Sequence, residues 1–405
     1  MSRPQITALC CLICAAMFVP GCGNSSDKKL PEKVSLTSVN IAVPLFTQNK
    51  GENKSAVALI NKKGEISLLH SDVMEGSQAS WDDYGLSWSD KNNDYWIETN
   101  GKTHTYPNKK PPFQYSSISL PSGGRIGIYH AGLENKKAGR AILFSPLGKG
   151  STLKFDYPHT AAGTMVACGN LAFAQLGNDE SQGQQLPWYL VADGKKVKFT
   201  EYMRTSVKNL SMSKEDHKLI GPSFILAETY ITAPEFGCLD NSTILGTVNV
   251  STQQEGKTTL GLLSIDLKTK ESTVKLIRDE KGSLFDSTGH FFITAETTIS
   301  ENGFPIINGD TGELFFISVP ENRIRKVSSQ LQEMKNIDAK YLQGKDDRIF
   351  LLARKKNDLQ KHYILIEMNK NCTKIISTRQ ISSQFTQLLD KEGYRMRQFL
   401  INPEE

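Results

Sequence analysis

Several side chains in this 405-residue chain have a chemistry and a spacing that could define a functional site. A cysteine after an apolar run can carry a lipid, and neighbouring carboxylates can act as acid and base. Alternating oxygen ligands can hold a calcium ion, and two thiols outside the cytosol can form a disulfide. The residues with these chemistries are Cys22, the pair Asp82 and Asp83, the set Asp90, Asn92 and Asp94, and the pair Cys168 and Cys238.

The stretch DYGLSW, residues 83–88, resembles the Asp box of sialidases and related glycosidases, roughly S-x-D-x-G-x-[ST]-W. Sialidases carry several such boxes and three arginines that clamp a carboxylate, whereas this chain has one copy with Trp81 in place of the serine. A two-carboxylate mechanism also needs acids about 5 to 10 Å apart, and Asp82 and Asp83 are neighbours on one turn. We therefore interpret the stretch as a turn of the fold, with Trp81 and Trp88 packing between structural units.

The segment DKNNDYW, residues 90–96, places oxygens at positions one, three and five, as a calcium loop does. However, Tyr95 stands at the position of the turning glycine, and Gly101 stands where the acidic twelfth ligand is expected. This pattern favours a polar hairpin turn.

The seven histidines have no HExxH or HxH spacing, no CxxC follows residue 22, and no GxSxG occurs. We predict no metal, no cofactor and no catalytic residues.

The first 22 residues have the layout of a bacterial lipoprotein signal. Arg3 precedes an apolar run, Ile6 to Val19, which as a helix rises only about 21 Å and is too short for a ~30 Å hydrocarbon core. The run ends in VPGC, which resembles the lipobox [LVI]-[AST]-[GA]-C except at Pro20. In lipoproteins this cysteine takes a diacylglycerol on sulfur and becomes the new N-terminus. The resemblance implies lipid attachment at Cys22.

We therefore expect residues 1–21 to be a signal peptide and the polar residues 22–35 a flexible tether. The protein is expected in the cell envelope, lipid-anchored on the extracytoplasmic face of a bacterial membrane.

Three cysteines follow Cys22, and two of them, Cys168 and Cys238, fall on the first strands of neighbouring repeat units. They are close enough for a disulfide if their Cα atoms lie about 5.5 Å apart. The alternative is two buried thiols.

Residues 36–405 contain a repeat of short apolar runs, each followed by a polar turn and another strand. The runs begin at residues 55, 95, 141, 188, 260, 313 and 362, so the intervals are 40, 46, 47, 72, 53 and 49 residues. Gly and Asn in the turns supply the positive φ angles of hairpins. In the sixth unit we assign strands to SLF, HFFITAE, ELFFIS and RIRKVS. The stretch WDDYGLSWSD then aligns with LFDSTGHFFITAE, which places Gly85 opposite Gly289.

Four-stranded units at this spacing predict an all-β fold, namely a single β-propeller domain over 36–405 with seven four-stranded blades. Eight blades are the alternative, because the 72-residue interval has room for a degenerate blade around 208–230. The seven-bladed fold instead assigns these residues to a long loop with a short helix at 214–219. Unit one lacks its first strand, and YRMRQFLI, residues 394–401, is predicted to supply it as a velcro closure. Residues 381–393 before it are expected to form a short helix or loop.

The architecture resembles that of bacterial extracytoplasmic repeat propellers, a fold that serves enzymes and binding scaffolds alike, so fold does not fix function. The net charge is only +5 and no Lys/Arg run occurs, which excludes a nucleic-acid footprint. We expect a membrane-anchored lipoprotein whose propeller binds or scaffolds an unknown protein, glycan or small molecule. The alternative is an extracytoplasmic hydrolase or lactonase that acts on a sugar-like substrate.

Overall fold

The structure is a computed structural model. It describes residues 30–47, 54–111, 113–120, 124–130, 139–144, 151–155, 164–175, 185–194, 196–206, 210–220, 226–227, 236–254, 256–290, 292–358 and 362–404.

The described strands form seven sheets, which are the blades of an all-β seven-bladed propeller, as the repeat predicts. Blade one contains β1 (Val39–Thr47), β2 (Ser55–Asn61) and β3 (Ile66–Ser71). Blade two contains β4 (Ala79–Asp82), β5 (Gly85–Ser89), β6 (Asn93–Glu98) and β7 (Thr103–Pro107). Blade three contains β8 (Phe113–Ser119), β9 (Arg125–His130), β10 (Gly139–Phe144) and β11 (Ser151–Phe155). Blade four contains β12 (Met165–Cys168), β13 (Leu171–Gln175), β14 (Gln185–Asp193) and β15 (Lys196–Ser206).

The fifth blade has short additional strands at its edges. It contains β16 (Leu210–Ser211), β17 (Leu226–Ala227), β18 (Gly237–Leu239), β19 (Thr243–Ser251), β20 (Thr258–Asp266) and β21 (Ser272–Leu276). Blade six contains β22 (Phe292–Ile293), β23 (Gly303–Asn308), β24 (Glu313–Ser318) and β25 (Arg323–Lys326). Blade seven contains β26 (Ile337–Lys345), β27 (Arg348–Lys355), β28 (Tyr363–Asn369) and β29 (Ile375–Gln380). The first strands of neighbouring blades contact one another and therefore lie towards the centre of the ring.

The apolar runs of the sequence are the third strands of the blades, and their burial explains why they are continuous. Six of the seven residues of β2 are buried, because the neighbouring blades cover both faces of the sheet. The outermost strand β29 instead alternates between half-buried and exposed residues. A continuous apolar run therefore marks the interior of each blade, and an alternating pattern marks its rim.

The C-terminal strands β30 (Tyr394–Arg395) and β31 (Leu400–Ile401) complete blade one. They pair antiparallel with β1, at Phe46 opposite Arg395 and Ile41 opposite Ile401. The Asn402 side chain donates to two backbone carbonyls near the start of β1, at 2.7 and 3.3 Å. The predicted velcro closure is thereby confirmed.

The long interval between blades four and five contains a short helix rather than an eighth sheet among the described residues. The helix α1 (Lys214–His217) begins after Ser213, whose hydroxyl accepts from the backbone N–H of Asp216 at 3.0 Å. Asp216 in turn accepts from Arg278 at 2.9 Å and from the backbone N–H of Leu276 at 3.3 Å, and the second contact fixes the helix to the last strand of blade five. A second helix, α2 (Ser383–Asp390), precedes the closing strands, as expected.

Two details of the sequence interpretation are wrong. SLF is not a strand of blade six, because the blade begins at Phe292 and its second strand is GFPIIN, at Gly303–Asn308. WDDYGLSWSD is the first hairpin of blade two, as we interpreted it, but Gly85 corresponds to Gly303 and not to Gly289. Both Gly85 and Gly303 begin a second strand with a positive φ, 126° and 143°, facing a carbonyl of the third strand.

Six of the contacts between neighbouring blades contain large apolar clusters, each spanning two blades. Among the residues that the structure describes, the apolar cluster between blades two and three consists of Met74, Tyr129 and Ile142. Buried polar side chains of the described residues also line this contact. We call it the polar seam, and it comprises Ser80, Ser89, Asp94, Lys110, Ser117, Arg125 and Tyr129.

Candidate functional site

The centre of the ring is bridged at the face where the first strands end. A 3-10 helix, Glu296–Thr298, connects the first two strands of blade six and contacts the first strands of blades five and seven. The Glu296 carboxylate accepts from the backbone N–H of Ala167 on blade four at 3.0 Å. The Thr297 hydroxyl accepts from the N–H of Gly344 on blade seven at 2.9 Å. These contacts link blade six to the first strands of blades four, five and seven.

Beside this bridged centre, a groove of about 290 Å³ lies between blades one and two. The hairpin turn at the end of β4 forms one wall, and the chain after β31 forms another. We call it the acidic groove; its lining residues are Leu36, Thr37, Trp81, Asp82, Asp83, Thr99, Asn402, Pro403 and Glu404. Three of these are carboxylates, and none is a lysine or arginine.

The turn after β4 fixes the orientation of the Asp82 carboxylate. Its Oδ1 accepts from the backbone N–H of Tyr84 at 2.9 Å, which closes a local turn. Burial raises the pKa of Asp82 above its usual range, although the turn hydrogen bond opposes the shift. Asp83 and Glu404 are exposed, so they contribute negative charge at the mouth of the groove. The groove can therefore accept hydrogen bonds and attract positive charge.

Trp81 forms the apolar part of the groove. Its indole is half-buried and packs against the apolar cluster between blades one and two, while it also lines the groove. Trp88 is fully buried in that cluster and stacks on Tyr95 at a centroid distance of 5.1 Å. Packing between blades is thus the whole role of Trp88 but only part of the role of Trp81.

The groove could not be found from sequence motifs, because its residues come from separate parts of the chain. Asn402 and Glu404 follow the closing strand, Thr37 precedes β1, and Thr99 lies in the last turn of blade two. Only the ring closure brings these segments together. The clue in the sequence is the DYGLSW stretch, whose pattern by itself indicates only a turn.

Of the predicted sites, Cys22 lies outside the described residues. Cys168 and Cys238 lie on β12 and β18, the first strands of blades four and five, and are joined by a disulfide with a Cα separation of 5.2 Å. The third cysteine after Cys22, Cys372, is a buried thiol, and burial raises its pKa to about 12. A thiol with such a pKa is not a reactive nucleophile at neutral pH.

The calcium-like segment forms a hairpin turn whose carboxylates accept from protein donors. Asp90 accepts from the backbone N–H groups of Asn92 and Asn93, both at 2.7 Å. Asp94 accepts from Asn108 at 2.8 Å and points into the polar seam. Within the described residues, no group of three or more His, Cys, Asp and Glu side chains is arranged to bind a metal ion.

In the described part of the chain, no helix has both the length and the apolar character needed to cross a membrane.

No family model matches the sequence, and no curated protein matches it. Solved structures are similar in fold. A hypothetical selenium-binding protein from Sulfolobus tokodaii has a TM-score of 0.50 and 9% identity, with 93% of this chain and 95% of that chain covered. The β-propeller domain of the Trilobed protease from Pyrococcus furiosus has a TM-score of 0.48 and 11% identity, with 85% and 93% covered. Apo AztD from Citrobacter koseri has a TM-score of 0.43 and 10% identity, with 85% and 96% covered. At these identities the similarity shows the fold alone.

Proposed function

We propose that the protein is a lipoprotein anchored through Cys22 on the extracytoplasmic face of a bacterial membrane, and that its propeller is a binding module. The ligand would occupy the acidic groove between blades one and two. The observation that carries the binding role is this groove, which combines an indole wall with three carboxylates. Ligand sites typically combine an apolar wall with a few placed polar groups.

The location outside the cytosol is supported by two independent features. The first 22 residues resemble a lipoprotein signal that ends in VPGC. The disulfide between Cys168 and Cys238 suits an oxidising compartment, since cytosolic thiols are kept reduced. Two or three acyl chains at Cys22 would hold the domain firmly, because each buried methylene contributes roughly 0.8 kcal/mol.

Lipid anchoring is tested by Cys22→Ala in the native host. We expect the variant to lose metabolic labelling with a radioactive fatty acid and to accumulate as uncleaved precursor or as released protein. Membrane fractionation and labelling unchanged from the wild type would refute the anchor. Cys372→Ala is the matched control, because Cys372 is buried in the apolar contact between blades six and seven and no lipid can reach it.

The binding role is tested by affinity capture from the native envelope with the protein lacking its first 22 residues. The charge reversals Asp83→Lys and Glu404→Lys change exposed groups at the mouth of the groove and should leave the fold intact. We expect the captured ligand to be lost from both variants. Lys356→Glu is the control, since Lys356 lines a different groove, between blades six and seven. Equal capture by all four proteins would rule out the acidic groove as the site.

The alternative, a hydrolase that acts on a sugar-like substrate, is favoured by one observation. Burial raises the pKa of Asp82 in a groove that two further carboxylates line, and burial raises the pKa of the acid residue of glycosidases in the same way. If the protein is such an enzyme, Asp82→Asn should lower turnover of chromogenic glycosides or lactones at least about 100-fold. An absence of any turnover by the wild type across such a panel leaves the binding module as the function.

A further inference from the structure

The groove between blades six and seven has a volume of about 370 Å³. Its walls are the start of β24 and the segment that leads from β25 to β26, and Lys356 closes it from blade seven. Glu313 begins the third strand of blade six, whereas Thr99 of the acidic groove follows the end of the third strand of blade two. The two grooves therefore lie on opposite faces of the ring.

This second groove is positively charged. Three lysines, Lys326, Lys335 and Lys356, line it together with one carboxylate, Glu313, so the net charge of its described lining is +2. We call it the basic groove. Lys326 is paired with Glu313. Lys335 and Lys356 are exposed, and neither forms an ion pair with another described residue. Two ammonium groups are therefore available to a ligand.

The acidic residues on the neighbouring segments do not neutralise this groove. Asp338, near the start of β26, is paired with Lys340 at 2.8 Å. Asp358, which follows β27, lies 3.2 Å from the ring of His362. Glu333 is exposed and does not line the groove. The excess of positive charge is thus a property of the groove itself.

A backbone hydrogen bond places the two unpaired lysines on adjacent segments. Lys335 belongs to a 3-10 helix, Gln332–Asn336, and the N–H of Lys356 donates to the carbonyl of Asn336 at 2.8 Å. The chain positions that carry the two lysines are therefore side by side, and both side chains line the same groove.

Ser328 supplies a hydrogen-bond donor to the same groove. The residue is only 9% exposed and lines the groove, and its hydroxyl has no hydrogen-bond partner among the described residues. The neighbouring Ser329 differs, because its hydroxyl donates to the carbonyl of Lys326 at 2.6 Å. Since buried polar groups nearly always have a partner in native proteins, the Ser328 hydroxyl indicates a group bound in the groove.

The apolar part of the groove consists of Leu314 and Met334. Both side chains line it and are at most 5% exposed. Ligand sites typically combine such an apolar surface with a few placed polar groups, in pockets of about 300–1,000 Å³. The basic groove is at the lower end of this range, which suits a body about the size of one sugar ring.

We propose that the basic groove binds a phosphomonoester on a small organic body, such as a sugar phosphate. A phosphomonoester carries a charge of about −1.5 to −2 at neutral pH, which matches the net charge of the groove. Lysines bind phosphate as point charges, whereas a planar carboxylate is matched by the fork of an arginine. The Ser328 hydroxyl would donate to a phosphate oxygen, and the body would pack on Leu314 and Met334. The proposal is independent of the acidic groove and of the lipid anchor.

The direct test is calorimetric titration of the full chain with glucose 6-phosphate, inorganic phosphate and glucose. We expect glucose 6-phosphate to bind, glucose not to bind, and inorganic phosphate to bind about tenfold more weakly because it makes no contact with the apolar part. No binding of glucose 6-phosphate would overturn the proposal, as would equal affinities for the two phosphates. Binding to vesicles that contain phosphatidic acid, without binding to glucose 6-phosphate, would overturn the sugar phosphate in favour of a lipid headgroup.

The position of the site is tested by variants of its exposed lysines. Lys335→Glu and Lys356→Glu should each weaken the binding of glucose 6-phosphate at least about tenfold, since each removes a charged contact. Ser328→Ala should weaken it roughly fivefold without a change in net charge. Lys102→Glu is the matched control, because Lys102 is exposed in the last turn of blade two on the other face of the ring. If Lys102→Glu weakened binding as much as the groove variants did, net charge alone would explain the binding and the basic groove would not be the site.

Discussion

The ammonium of Lys110 and the carboxylate of Asp94 lie 3.1 Å apart inside the contact between blades two and three, where both side chains are shielded from water. Asp94 comes from the second blade and Lys110 from the segment that leads to the third, so the ion pair fixes two blades against each other. Because both groups are buried, removal of either one leaves the other without its nearest counter-charge.

Asp94→Asn should therefore destabilise the fold strongly. The substitution removes the carboxylate nearest to the buried Lys110 and Arg125, and removal of one partner of a buried pair costs about 3–5 kcal/mol. Urea unfolding of the two proteins measures the difference. Asp347→Asn is the matched control, because Asp347 is 91% exposed beside Lys370 and an exposed pair contributes less than about 1 kcal/mol. If both variants lost the same free energy of unfolding, the buried pair would contribute no more to stability than the exposed pair.

The glycines that begin the second strands of blades two and six should not tolerate a side chain. A Cβ at Gly85 would lie 2.0 Å from the carbonyl oxygen of Ile97, and one at Gly303 would lie 2.2 Å from that of Ile317. Since backbone atoms must move, we expect Gly85→Ala and Gly303→Ala each to lower the free energy of unfolding by about 2 kcal/mol or more. Gly282→Ala, with a positive φ but open space around it, should cost about 1 kcal/mol. The free energies of unfolding of the three variants, measured by chemical denaturation, test this difference.

The fold was predictable wherever burial imposes a simple pattern. Third strands such as β2 are covered on both faces and read as unbroken apolar runs, which gave the blade number. The error in blade six arose because its first strand has only two residues, Phe292 and Ile293, too few for a pattern. The seam was not predictable, since Asp94, Lys110 and Arg125 look like ordinary surface charges in sequence. Their burial results from the packing of blade two against blade three, and the spacing of residues within a short stretch of sequence does not predict that packing.

Removal of residues 394–405 should unfold the propeller or lower its melting temperature sharply. The truncation leaves β1 without its inner neighbour and exposes the apolar surface that Phe399, fully buried, covers. The single change Phe399→Ala should already cost about 3–5 kcal/mol. Removal of 403–405 alone should preserve the melting temperature, because Asn402 and both closing strands remain. If the longer truncation melted at the wild-type temperature, the closure would not be a stabilising element.

The disulfide between Cys168 and Cys238 should stabilise the oxidised protein. It links residues 70 positions apart, and closing a loop of that length is worth about 4 kcal/mol at most in the chain-entropy account. We expect the Cys168→Ser, Cys238→Ser double variant to melt at a lower temperature than the oxidised wild type, and a reducing agent to lower only the melting temperature of the wild type. A thiol count without denaturant provides the control, as buried Cys372 should stay unlabelled. If the reductant did not change the melting temperature of the wild type, the disulfide would not be a stabilising element.

His130 should make the fold sensitive to mild acid. Burial, followed by the positive charge of Arg397, lowers the pKa of His130 to about 4, and its ring stacks on Phe113 at 5.1 Å. The unfolded chain has the usual pKa near 6.5, so between about pH 6.5 and 4 it binds more protons than the folded protein. The free energy of unfolding must then decrease as the pH falls through that window. The melting temperature of the wild type should be lower at pH 5 than at pH 7.5, and His130→Gln should reduce this difference. His217→Gln is the control, because His217 is exposed on α1. If both variants kept the wild-type pH dependence, His130 would not be the source of the acid sensitivity.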